Sequence, residues 1–176
     1  MTQPLTAEQV PSMLESAIAQ IQFARNYTLE LLNGTPKEDW FIIPDGLPTN
    51  LAWQVGHLAV SQYGLLMFRI RGRDTADLEL IPGRFRKAYS RQSVPSDSPD
   101  KQPTALELLE RLEEVHRRAL SEITSASVET LMEPVDMPYA AYPIKLGAVL
   151  FCPLHEQIHA GQIGLIRRAM GHDPIR

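Results

Sequence analysis

A single cysteine, Cys152, stands in a chain of 176 residues. It cannot close an internal disulfide, and it excludes a zinc cluster built from thiolates. Imidazole, carboxylate and water would have to hold any metal. The sequence also lacks the uninterrupted apolar run, about 18 residues, that a membrane-spanning helix needs. Nor does it show the basic-then-apolar start of a secretory signal. A cytoplasmic protein without membrane contact is expected. Positive charge is scarce too: 17 Lys and Arg against 21 Asp and Glu leave a net charge of −4. The basic face of a nucleic-acid binder is not there. Arg84-Phe85-Arg86-Lys87 is the one basic cluster of note, in a segment that reads as loop.

What is present suits an ordinary globular domain spanning 1–176, with 44% hydrophobic and 22% charged residues. Four segments carry helical periodicity. The first begins between Thr6 and Pro11, where Thr6-Ala7-Glu8-Gln9 reads as a capping box, and ends at Asn33-Gly34. Its apolar stripe is Val10, Met13, Leu14, Ala17, Ile18, Ile21 and Ala24. The second, capped by Thr49 or Asn50, runs to about Arg71-Gly72 and is apolar nearly all round. That exceeds what burial inside one small bundle requires, so a homodimer is expected. Residues 72–103 read as a long crossover with a short helix near Pro82 to Tyr89; loops of this length are often functional. The third helix opens with the capping box at Thr104 to Glu107 and runs to about Ser125. A loop from Pro134 to Pro143 leads to the last helix, about Lys145 to Met170, which Pro153 should kink or split. The expected fold is all-α, a four-helix bundle with a long crossover connection.

The last helix holds the stretch that says most, His155-Glu156-Gln157-Ile158-His159. Two imidazoles four residues apart lie one turn from each other on the same side and can grip one ion. The literal pattern is that of zinc peptidases. Its extended form needs Gly at Gln162 and His at Leu165, and has neither. The third ligand is therefore expected upstream of His155. On a helical wheel both rings point inward, among Ala148, Phe151, Cys152, Ile158, Gln162, Ile163 and Ile166. Two buried imidazoles each need partners for their ring nitrogens, and a shared metal serves both. His57 on the second helix and His116 on the third could each complete the site; the wheel does not separate them.

Asn50-Leu51-Ala52-Trp53-Gln54-Val55-Gly56-His57-Leu58-Ala59, together with His155 to Ile163, is similar to the two signature stretches of the DinB-like (DinB/YfiT) superfamily. Departures are Ala160, where the family often has Arg, and Pro153 within the last helix. The resemblance implies a metal triad of His57, His155 and His159, holding a divalent ion, nickel or zinc, with water at the remaining positions. His116 then becomes a core or rim histidine. Cys152 reads as a small buried hydrophobe, with a soft extra ligand or a reactive thiol near the metal as the alternatives. Glu156, about 100° round the helix from His155, is either a group orienting the site or a surface carboxylate. Gln162 would hydrogen-bond a bound water or a neighbouring helix. Glu156 and Gln162 are the catalytic candidates.

The resemblance also implies a reaction. A low-molecular-weight thiol would bind the ion, lose its proton and act as nucleophile in a transfer or isomerisation, since a divalent cation lowers a ligand's pKa. Hydrolysis by metal-activated water is the alternative. A third reading is a metal-binding, stress-related bundle without turnover. The expected partner is a small-molecule substrate.

Overall fold

Two of the four long helices, the second and the third, begin where a polar side chain takes up a backbone N–H that the helix leaves unpaired. The computed structural model describes residues 5–137 and 140–175. In it Gln9 Oε1 accepts the Thr6 N–H at 2.9 Å, just before α1 (Val10–Asn33). Asn50, not Thr49, caps α2 (Leu51–Tyr63): its Oδ1 accepts the Trp53 N–H at 2.9 Å. Thr104 and Glu107 close their capping box at the start of α3 (Ala105–Thr124), at 2.7 and 3.2 Å. The last long helix, α4, spans Lys145–Ala169, and Gly171 leaves it with φ 88°.

The core lies where the stripes meet. Val10, Ala17, Ile21 and Ala24 of α1 are buried, as are Leu108, Leu112, Val115, Ala119 and Ile123 of α3. The stripe residues Met13, Leu14 and Ile18 pack on its edge. α1 lies chiefly along α4 and α2 chiefly along α3, while α2 also touches α4. Among the described residues there is no strand, only an isolated bridge between Pro134 and Ile144. No helix among them is long and apolar enough to cross a membrane.

Several expectations change. The second helix is not α-helical to Arg71: a π-helical turn, Gly64–Phe68, precedes a last turn, Arg69–Arg71. The wider turn admits one more residue before each hydrogen bond. Pro153 does not split α4, although it removes one backbone donor. Leu146, Val149, Ile163 and Ile166 are fully buried on either side of it, so packing holds the helix across the missing rung. In the loop before α4, Pro138 and Tyr139 lie outside the described residues.

The crossover is largely ordered into short elements: Asp77–Leu80, Gly83–Tyr89 and the turn Pro99–Lys101. Arg71 pins its start, pairing with Asp77 at 2.8 Å and with Glu122 of α3 at 2.6 Å. The helix Gly83–Tyr89 and the turn Lys37–Phe41 both pack against α2. They supply the cover that the all-round apolar character of α2 demanded. Its burial is met within one chain, so the composition of α2 does not by itself call for a second copy.

Candidate metal centre

Gly56 makes the first placement. A Cβ there would meet the Tyr89 ring at 2.3 Å, so only glycine lets the helix Gly83–Tyr89 lie against α2. That approach delivers the Tyr89 carbonyl to His57, whose Nδ1 lies 2.8 Å from it. A carbonyl only accepts, so Nδ1 carries the proton and Nε2 keeps its lone pair. Trp53, one turn earlier, stacks on the same ring at 4.6 Å with planes 7° apart. The Ser61 hydroxyl reaches Nε2 at 3.2 Å.

His159 is set in the same way by a different group. Its Nδ1 lies 2.6 Å from Gln54 Oε1. The Gln54 amide nitrogen is spoken for, donating to Gln162 Oε1 at 2.9 Å and to Thr49 Oγ1 at 3.0 Å. The amide is therefore oriented with its oxygen toward the imidazole, and His159 Nε2 is again the free nitrogen. Gln54 is fully buried.

The three rings converge. Centroids are 4.7 Å apart for His57 and His159, 4.5 Å for His155 and His159, and 5.4 Å for His57 and His155. One ligand atom from each lies within 4.8 Å of the others. Tetrahedral bonds of about 2.0–2.1 Å to one ion place such nitrogens about 3.3 Å apart, within reach of small rotations of rings grouped this closely. Burial lowers all three pKa values, with the neighbouring rings adding to it at His155 and His159. His155 falls to about 4 and His159 to about 3. At neutral pH the rings are uncharged, the state in which imidazole donates to a metal. The chemistry of the donor set fits a divalent transition-metal ion.

The other candidates lie elsewhere. Glu156 is neither on the surface nor at the triad. It is 2% exposed and forms a two-pronged pair with Arg25 of α1, at 2.6 and 3.1 Å. Arg25 also donates to the Leu112 carbonyl at 2.9 Å and to Gln62 at 3.0 Å. Gln62 in turn donates to His116 Nδ1 at 3.1 Å. His116 therefore belongs to this second network, and burial together with the Arg25 charge lowers its pKa to about 4. Gln162 bonds a neighbouring helix through Gln54, from an exposed position. Ile158, placed inward on the wheel, is 57% exposed. Cys152 is buried, its thiol pushed well above the usual range by burial and then by Glu156, and it is not part of the triad.

Gln54, Ser61 and Arg25 escaped the sequence reading. Gln54 and Arg25 each sit on an apolar stripe, between Leu51 and Leu58 and one turn after Ile21. A polar residue at such a position needs a buried partner.

Two expectations follow from this geometry. Gln54→Ala should weaken metal binding about ten- to hundredfold, with Gln54→Glu, which keeps the acceptor, recovering part of the loss. Metal titration by calorimetry checks it; equal affinities in parent and Gln54→Ala would remove Gln54 from the site. The metal-free protein should also lose stability as pH falls. Above about 6.5 unfolded and folded imidazoles are both neutral. Below it the unfolded chain takes up protons that the folded rings refuse until pH 4 to 3. In that window His155→Ala should flatten the slope of unfolding free energy by up to about 1.4 kcal/mol per pH unit. Denaturant unfolding at several pH values tests this, and an unchanged slope would contradict it.

The sequence model described as the DinB superfamily matches residues 20–163, a span that includes all three histidines. No curated protein matches the chain.

Proposed function

Since the chain belongs to the DinB superfamily, we propose that it is a metal-dependent enzyme in which His57, His155 and His159 hold one nickel or zinc ion and a low-molecular-weight thiol is the nucleophile in a transfer reaction. The observation that carries this reading is the convergence of three neutral imidazoles. In two of them the remote nitrogen is committed to an acceptor, the Tyr89 carbonyl or Gln54 Oε1. Three protein donors leave room for a further ligand, as catalytic sites require. The ion, when bound, supplies positive charge that lowers the pKa of a thiol beside it.

The surrounding residues favour an external thiol. Cys152 is held as a neutral thiol in the core and does not compete. Glu156, the general base of the peptidase pattern, is consumed by Arg25. Water activation would lack that base, whereas a thiol, with an ordinary pKa of about 8.5, needs little help to ionise at neutral pH.

Cobalt-substituted protein should develop a sulfur-to-metal charge-transfer band as a small thiol is added, in both the parent and Cys152→Ser. A band present beforehand and abolished by Cys152→Ser would mean that the chain provides its own sulfur. Absence of any band in metal-loaded protein would reject the thiol reading.

A further inference from the structure

The basic cluster in the crossover has no part in the triad, yet the fold brings it beside Trp53. A groove of about 630 Å³ lies between the helix Gly83–Tyr89 and the rest of the crossover, lined by Arg84, Lys87, Lys101, Trp53, Ser93 and Gln102 among others. No carboxylate lines it, in a chain whose net charge is −4. The three cations are exposed, and none forms an ion pair among the described residues. Arg84 and Lys101 also border the adjoining cavity, which carries Glu79, Asp100, Glu107, Glu110 and Glu114, but on the groove side no carboxylate offsets the cations, and an anion there is attracted by them.

The groove is built, not merely charged. Trp53 Nε1 donates to Ser93 Oγ at 2.9 Å, and that hydroxyl donates to the Ser90 carbonyl at 2.7 Å. The Tyr89 hydroxyl donates to Gln102 Oε1 at 3.2 Å, while Gln102 Nε2 donates to the Ser96 and Ser98 carbonyls at 3.0 and 3.2 Å. Asn50, the cap of α2, donates to the Ser96 carbonyl at 2.8 Å. The crossover backbone is thus tied to the helix that carries His57, and binding need not order it first. The volume lies in the range of small-molecule sites, about 300–1,000 Å³.

We propose that this groove binds a small molecule bearing two anionic groups, its charges held by Arg84, Lys87 and Lys101 and its body against Trp53. Trp53 also stacks on His57, so the ligand sits one aromatic ring from the triad. Its standing as the enzyme's substrate rests on the function proposed above; its binding does not.

The test uses full-length, metal-free His155→Ala protein, so that no ion at the triad can capture the probe. Glutarate and inorganic phosphate are titrated separately, by calorimetry and by tryptophan fluorescence. Trp40 is 1% exposed and lies outside the groove, so Trp53 reports the optical signal. Glutarate, with two anionic groups, should bind saturably and more tightly than inorganic phosphate, which has one; the reverse order would overturn the proposal. Adding Lys87→Glu should weaken that binding about tenfold. Adding Arg91→Glu makes the same change in net charge at an exposed crossover residue that does not line the groove, and should weaken it less than twofold. Trp53→Phe should abolish the fluorescence change. No saturable binding of either probe, or equal losses with Lys87→Glu and Arg91→Glu, would overturn the proposal. Metal uptake by the Lys87→Glu protein with its triad intact tests the three-histidine reading separately.

Discussion

Alanine at His57, His155 or His159 should take the purified protein from about one divalent ion per chain to nearly none. Loss of a supporting hydrogen bond costs about ten- to hundredfold in metal affinity, and loss of a donor atom from a three-imidazole set should cost more. His116→Ala should leave the metal in place, because its ring belongs to the network of Gln62 and Arg25. Elemental analysis after purification without chelator, followed by reconstitution with nickel and zinc, measures the outcome. Retention of a full ion by His57→Ala, with loss in His116→Ala, would reverse the assignment of the third donor. Acidification should release the ion in the parent as protons compete for the imidazoles.

Arg25→Ala should be the most destabilising single change outside the apolar core. It would strand the Glu156 carboxylate at 2% exposure, with the Leu112 carbonyl and Gln62 also losing their donor. Breaking a buried pair from one side costs about 3–5 kcal/mol, roughly 6–20 °C in Tm for a chain of this size. The double variant Arg25→Met with Glu156→Leu should recover most of the stability, since neither charge is then left alone. It should also keep its metal, because neither residue reaches the triad. Chemical unfolding and metal content, measured on the same three proteins, check both statements. Loss of metal from a stably folded double variant would tie the ion pair to the site.

The helices were legible because apolar spacing and capping residues act locally. Thr104 with Glu107 marks the start of α3 as clearly in sequence as in structure, and of its apolar stripe Ala105, Leu108, Leu109, Leu112, Val115, Ala119 and Ile123 all but the half-buried Leu109 are buried. The π-turn at Gly64–Phe68 was not legible: it is one turn in a segment apolar nearly all round, where apolar spacing carries no mark of whether bonds span four residues or five. The short helices of the crossover were half seen, one near Pro82 to Tyr89 and none at Asp77–Leu80. The latter is held by Arg71, which pairs with Asp77 and is itself anchored by Glu122, 51 residues further along the chain.

The site divides along the same line. Sequence alone placed His155 and His159 side by side, since helical geometry puts residues four apart on one side. It left Glu156 open, because a carboxylate about 100° round the helix can face water, the ion or another helix. Only the packing of α1 on α4 decided, by bringing Arg25 to it. The grouping of His57 with the other two, and the locking of their tautomers by the Tyr89 carbonyl and Gln54, likewise depend on which helices meet. A side chain's pairing in the core is a property of the assembled bundle, because its partner's distance is set by packing and not by the chain between them.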